Sequence, residues 1–243
     1  MAKTLAIIGA GPGLGMGVAR AFGRRGFRVA RIARTASKLQ LLVDDLAALG
    51  ITAAAFATDI RDRDALTAAL TEADATLGPI DVLEYSPSPT GTIATATALT
   101  VDDVAAQLDL HVLGAVAAVG HVLPGMLARG EGTILLTTGV SSTVPAPFLA
   151  NVGMAMAALR NWAHTLHSEL EPTGVYTATI TIASGVIPGD PVADPDAIGA
   201  RYWDLHERRD RAEEVIGDLD AFRALVTQIG ADQSNPNHLR DIA

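Results

Sequence analysis

The chain contains no cysteine. Disulfides, thiolate nucleophiles and cysteine-ligated zinc are therefore excluded, and the composition fits a reducing cytoplasm, where the protein is expected. Aromatic residues make up 4% of the 243 positions, with three tyrosines, and the only lysines are Lys3 and Lys38. Basic charge is scarce. Against 27 Asp and Glu stand 18 Lys and Arg, a formal net charge of −9, so the electrostatic footprint of a nucleic-acid binder is missing. The most apolar long stretch, LGAVAAVGHVLPGML at 113–127, is too short and too broken by Gly and Pro to span a bilayer, and no membrane partner is expected. The N-terminus, MAKTLAIIGAGPGLG, lacks the apolar core and cleavage site of a signal peptide and runs straight into a strand.

What is present is an apolar, regularly punctuated chain. Hydrophobic residues account for 49% of it, and the mean hydropathy is +0.29, which suits one large domain with a sizeable core and opposes disorder over most of the length. Short apolar runs at 4–9, 27–33, 51–59 and 80–86 read as strands, separated by helical spacing at 14–26, 37–50 and 64–78. The alternation continues with a helix at 101–130, bent near Pro124, a strand at 132–139, a helix at 151–174 and a strand at 175–183. This pattern predicts an α/β fold: one Rossmann-type, doubly wound parallel sheet with helices on both faces, in a single domain over 1–243. Three prolines in 186–199 mark a flap or loop region, taken as 186–212. Residues 200–230 read as mostly helical with EEVIG as an edge strand, and 231–243 as a loose tail.

The stretch IIGAGPGLGMG (7–17) joins the first strand to the first helix. Glycines there turn the chain tightly and let its backbone approach a pyrophosphate, while the helix N-terminus offers N–H groups and a positive dipole end. The alternative is a glycine-rich turn with no ligand. Gly9, Gly11, Gly13, Leu14 and Gly15 are the expected cradle. At the end of the second strand an acidic residue would bind the ribose 2′-OH of NAD, but the chain reads Ala33-Arg34-Thr35-Ala36-Ser37-Lys38. Arg34, Ser37 and Lys38 could instead hold a 2′-phosphate, which favours NADP(H) over NAD(H). Otherwise they are ordinary solvated groups. Arg31, inside a buried strand, has no explanation in the sequence.

In these features the chain resembles a short-chain dehydrogenase/reductase over roughly residues 3–190. It shares that family's G-x-x-x-G-x-G loop, Asp59 after the third strand and the phrase GPIDVL at 78–83. The resemblance implies that Asp59, with its neighbour Ile60, contacts the adenine ring, and that Ser86 borders the cofactor. It also implies an Asn, Ser, Tyr and Lys that carry catalysis. Fitting ANVGMAMAALR (150–160) to the family's helix places Val152 at the Tyr position and Met156 at the Lys position, with Gly139 at Ser and His111 at Asn. Shifting the fit restores nothing, because no Tyr lies between Tyr85 and Tyr176 and no Lys follows Lys38. General acid catalysis contributes about 10²–10⁴-fold, so the family's usual proton path is missing.

Three residues are candidate substitutes. His111 has the side chain whose ordinary pKa suits acid–base work, although a histidine buried in helix packing fits the pattern as well. Tyr85 could donate a proton or form a pocket wall. Ser141 could orient a carbonyl or be a plain loop hydroxyl. His164 and His167 lie three apart on a helix without a third ligand, so no metal is expected. The apolar helices at 112–123 and 150–162 suggest a homodimer or homotetramer. The expected function is an NADP(H)-binding oxidoreductase that acts on an unidentified small carbonyl or alcohol through a non-standard site. The alternatives are a nucleotide-binding sensor or partner subunit without turnover, and a non-redox enzyme on the same scaffold.

Overall fold

A computed structural model describes residues 2–233. Strands β1 (Thr4–Ile8), β2 (Arg28–Ala33), β3 (Ala53–Ala57), β4 (Ile80–Tyr85), β5 (Gly132–Gly139), β6 (Val175–Ile182) and β7 (Glu213–Ile216) form one sheet in the order β3-β2-β1-β4-β5-β6-β7. Every pairing is parallel. All five residues of β1 are buried, as expected of a central strand with both faces covered.

The helices are α1 (Leu14–Gly23), α2 (Ala36–Ala48), α3 (Arg63–Leu77), α4 (Val101–Leu108), α5 (Gly114–Arg129), α6 (Ala150–Leu170), α7 (Pro195–Arg208) and α8 (Leu219–Gln233). Their starts are written locally. The Asp62 carboxylate accepts from the Ala65 N–H, and Thr100 and Asp103 cap α4 reciprocally. Asp194 caps α7, with Pro195 in the first turn, where its missing N–H costs nothing.

Two apolar clusters fill the two faces of the sheet. One gathers Ile8, Ile32, Leu83 and Leu136 under α3, α5 and α6. The other gathers Ile7, Val29, Leu135 and Ile180 under α1, α2 and α7. Chain order reverses between β1 and β4, so the crevice beyond the carboxyl ends of these strands is where a ligand of such a sheet binds.

The structure corrects several sequence expectations. The 101–130 helix departs from α geometry at Asp109–Leu113, which winds as a π-helix, while Pro124 sits within α5. As one helical run, Val101–Arg129 has 29 residues, longer than the 113–127 stretch alone, and is long and apolar enough by composition to cross a membrane. Its inner face (Leu110, Ala115, Ala118, Val119, Val122, Met126) packs into the core.

The segment 186–212 is not a flap throughout. Most of it is α7, which lies against α1 so closely that a Cβ on Gly17 would overlap the Pro195 carbonyl, and one on Gly199 would overlap the carbonyl of Gly17. Tyr202 and His206 consequently belong to the core. EEVI is the edge strand β7, paired with β6. Residues 231–233 continue α8, and the rest of the expected tail lies outside the described residues.

Candidate functional site

The turn after β1 is fixed by one glycine above all. Gly9 has φ +91°, and a Cβ there would lie 2.5 Å from the Pro87 nitrogen, so only glycine lets the loop pass over the end of β4. The loop is tied to β2, because the N–H groups of Gly9 and Ala10 both donate to the Ile32 carbonyl, at 3.0 and 3.3 Å. Gly13 precedes α1, whose N-terminus has neither a side-chain cap nor an acidic residue in its first turn. Its N–H groups and dipole are therefore left for an anion.

Arg31 now has an explanation. Fully buried on β2, it donates from Nη1 to the Gly15 carbonyl at 2.6 Å and from Nη2 to the Gly11 carbonyl at 3.1 Å. It ties the loop from beneath and turns those two carbonyls away from the crevice. Burial lowers its pKa to about 10, so it remains a cation at neutral pH.

Two adjoining cavities run along the crevice and share Gly9, Gly11, Pro87 and Ser88. The first, about 180 Å³, lies between the ends of β2 and β3, where it is lined by Ala33, Arg34, Asp59, Ile60 and Arg61. Asp59 and Arg61 form a 2.7 Å ion pair, and that bond holds the Asp59 carboxyl down at about 2. Arg34 has no ion-pair partner among the described residues. The second cavity, about 320 Å³, is lined by Gly13, Leu14, Gly15, Ser86, Thr137, Thr138, Gly139, Met156 and Val186, with Pro12 and Pro89 at its edge. None of its lining side chains titrates near neutral pH. Val186 belongs to the connection between β6 and α7, whose Val186 Cγ1 would stand 3.4 Å from a Cβ on Gly13 and so roofs the loop.

Of the expected cofactor residues, Gly9, Gly11, Arg34, Asp59 and Ile60 line the first cavity. Gly9, Gly11, Gly13, Leu14, Gly15 and Ser86 line the second. Ser37 and Lys38 line neither and stand exposed on the first turn of α2. Sequence reasoning missed Arg61, although a second arginine two residues past Asp59 was a signal for it. Pro87 and Ser88, directly after Ser86, and Thr137, at the end of the fifth strand, were signalled by their places at strand ends.

The three catalytic candidates are not brought together. Tyr85 is fully buried and its hydroxyl donates to the Leu110 carbonyl, tying β4 to the π-helical turn; burial pushes its pKa far up. His111, 1% exposed within that turn, lines neither cavity, and its Nε2 has no partner among the described residues. Burial lowers its pKa to about 4, so it is neutral at pH 7. Ser141 borders a separate apolar groove of about 540 Å³ with Pro145, Ala146, Leu149 and Met154. At the positions of the expected Tyr and Lys, Val152 is buried and Met156 lines the second cavity with its thioether.

Directly behind the second cavity lies a buried polar cluster. Glu84 is fully buried near the end of β4. Its Oε2 accepts from Ser86 Oγ and its Oε1 from Thr137 Oγ1, both at 3.0 Å. The Thr137 hydroxyl also meets the Tyr202 hydroxyl of α7 at 2.7 Å. Register places Glu84 and Arg31 on either side of Ile7, on one face of the sheet. Burial raises the Glu84 pKa to about 7 against the pull of Ser86, Thr137 and Arg31.

Residues 3–190 match the sequence profile of the short chain dehydrogenase family. A short chain dehydrogenase of Pseudocercospora fijiensis is 30% identical over 203 residues, which cover 81% of this chain and 63% of that protein. A very-long-chain 3-oxoacyl-CoA reductase of Emericella nidulans is 30% identical over 177 residues, covering 70% of this chain and 50% of that protein. The chain thus spans about half to two thirds of the length of these curated relatives. Among solved structures, a metagenomic short-chain oxidoreductase in complex with NADP superposes with a TM-score of 0.78 at 22% identity, over 88% of this chain and 96% of that one, a likeness in fold.

Proposed function

The chain belongs to the short-chain dehydrogenase/reductase family, and from that membership we propose that it is an NADP(H)-dependent oxidoreductase that interconverts a carbonyl and an alcohol without the family's usual proton donor. The observation that carries this proposal is the continuous crevice from Arg34 and Arg61 to Met156, with the glycine loop at its centre. The residues fit a dinucleotide. Gly9 clears the turn, nothing meets a Cβ on Gly11 within 3.9 Å, and the α1 N-terminus with its Arg31 support presents positive potential to a diphosphate. The ribose 2′-phosphate falls to Arg34 and Arg61, and no carboxylate at the end of β2 competes for the 2′-OH. Asp59, held ionised by Arg61, takes the adenine edge. When bound, the dinucleotide supplies the hydride. The protein orients it and offers the Ser86 hydroxyl to the substrate oxygen in a mostly apolar chamber.

The test is a fluorescence titration with NADPH and NADH at equal salt. Binding of NADPH at least about tenfold tighter, with the preference lost in Arg34→Ala, supports the assignment. Failure of both to bind overturns it. A panel of ketones and 3-oxoacyl thioesters then tests turnover. A second reading, a dinucleotide-binding protein without turnover, is favoured by the absence of a titrating side chain on the wall of the second cavity. It predicts tight NADPH binding and no oxidation of NADPH by any carbonyl.

A further inference from the structure

We infer that Glu84 is the proton reservoir of this site, delivering a proton to the substrate oxygen through the hydroxyl of Ser86. The inference rests on the oxidoreductase assignment above and adds the proton path that it lacks.

Four observations carry it. The second cavity needs a proton source and has none on its wall. Glu84 stands immediately behind that wall, bonded to two side chains that form it, Ser86 and Thr137. These two hydroxyls are not equivalent. Thr137 is shared with Tyr202, which fixes it, whereas the Ser86 hydroxyl has Glu84 as its only partner among the described residues and is free to turn toward a ligand. Finally, a carboxyl at this point of a buried strand is costly unless it is protonated or compensated. Arg31, on the far side of Ile7, provides long-range compensation without a direct ion pair.

The step balances as follows for reduction. As hydride from the reduced dinucleotide reaches the carbonyl carbon, the carbonyl oxygen takes the proton of Ser86 Oγ, and Ser86 takes the proton of the Glu84 carboxyl. Glu84 is left as a carboxylate, held by Thr137 and Arg31, and is reprotonated from water after the product leaves. Oxidation runs the same path backwards. The groups that face Glu84 are Arg31 from β2, Ser86 beyond β4, Thr137 from β5 and Tyr202 from α7, with Arg20 of α1 acting through Arg31. Among them only Glu84 changes charge between pH 5 and 9. Tyr202 is pushed up by burial and by Glu84 itself, and Arg31 titrates only at about 10.

The test begins without cofactor. An infrared pH titration of the full chain is expected to show one protonated-carboxyl band lost near pH 7, missing in Glu84→Gln and retained in Ser86→Ala. Turnover of whichever carbonyl the panel identifies is expected to fall above pH 7 in the native protein. It should drop about 10²-fold and lose that pH dependence in Glu84→Gln, with NADPH affinity within about twofold of native. Ser86→Ala should show the same loss of turnover. The relay is overturned if no band titrates between pH 5 and 9, or if Glu84→Gln keeps the native pH profile while NADPH still binds. If neither the native protein nor the variants bind NADPH, the oxidoreductase assignment itself fails and takes the relay with it.

Discussion

Glu84→Gln is the substitution whose effect on stability can be worked out most directly. The carboxyl has an ordinary pKa of 4.5 in the unfolded chain and one of about 7 in the native fold, where burial disfavours its charged form. Below pH 4.5 both states hold the proton and the native state loses nothing. Between pH 4.5 and 7 the unfolded chain loses its proton while the native fold keeps it, so native stability falls as pH rises. Above 7 the loss is complete. The difference of about 2.5 pH units, at about 1.4 kcal/mol each, comes to about 3–4 kcal/mol. The glutamine amide in the variant keeps the shape, accepts from one of the two hydroxyls through its oxygen, donates to the other through its NH2, and does not titrate. Urea denaturation of both proteins at pH 5, 6, 7 and 8 isolates this group, because other titrations cancel in the difference. The stability difference should move steadily in the variant's favour, by about 3 kcal/mol between pH 5 and pH 8. A flat difference would refute the argument. A difference that instead moves in the native protein's favour as pH rises would show that Arg31 holds Glu84 ionised, reversing the sign.

Other expectations follow from single contacts. Arg31→Met leaves the carbonyls of Gly11 and Gly15 without their donors and should cost about 3 kcal/mol of stability, with NADPH binding weakened at least about tenfold in a titration. Gly17→Ala drives a methyl group into the Pro195 carbonyl and should lower the urea midpoint by an amount worth about 2–3 kcal/mol, with the Trp203 fluorescence altered. Tyr85→Phe removes the bond to Leu110 and should cost about 1 kcal/mol by thermal unfolding while leaving NADPH affinity unchanged, since the phenol faces the core.

The sheet was legible because each strand ends in a glycine or polar break and each helix in turn shows its period. The succession and parallel sense of β1 to β6 follow from the β-α repeat, and β7 from four residues of EEVI, while the spatial order is set by the fold. The misread places are those where tertiary contact overrides local texture. Prolines in 186–199 suggested a flap, yet Pro195 opens a core helix because Gly17 and Gly199 let two backbones meet. The glycine loop and Arg34 were readable as a cofactor site, since turn chemistry and charge are local. Glu84 and Thr137, at strand ends, were legible as neighbours of the crevice, but their joining with Arg31 and Tyr202 was not, because the four come from β2, β4, β5 and α7, which only the tertiary fold brings together. Conversely, His111 and Tyr85 carry suggestive chemistry in the sequence, but the fold uses one as packing and the other as a brace.

The helix crossing at Gly17 and Gly199 has a mechanical side. It anchors one end of the connection that carries Val186, and β6 anchors the other. Between them the connection is braced on itself: Ile187 donates to the Ala193 carbonyl, Gly189 to the Asp194 carboxylate, and Val192 and Ala193 to that of Asp190. A span fixed at both ends and stiffened along its length behaves as an arch rather than a hinged door. What the arch constrains is the space between Val186 at its crown and the glycine loop below, a gap bounded by a few side chains and not by a separate domain.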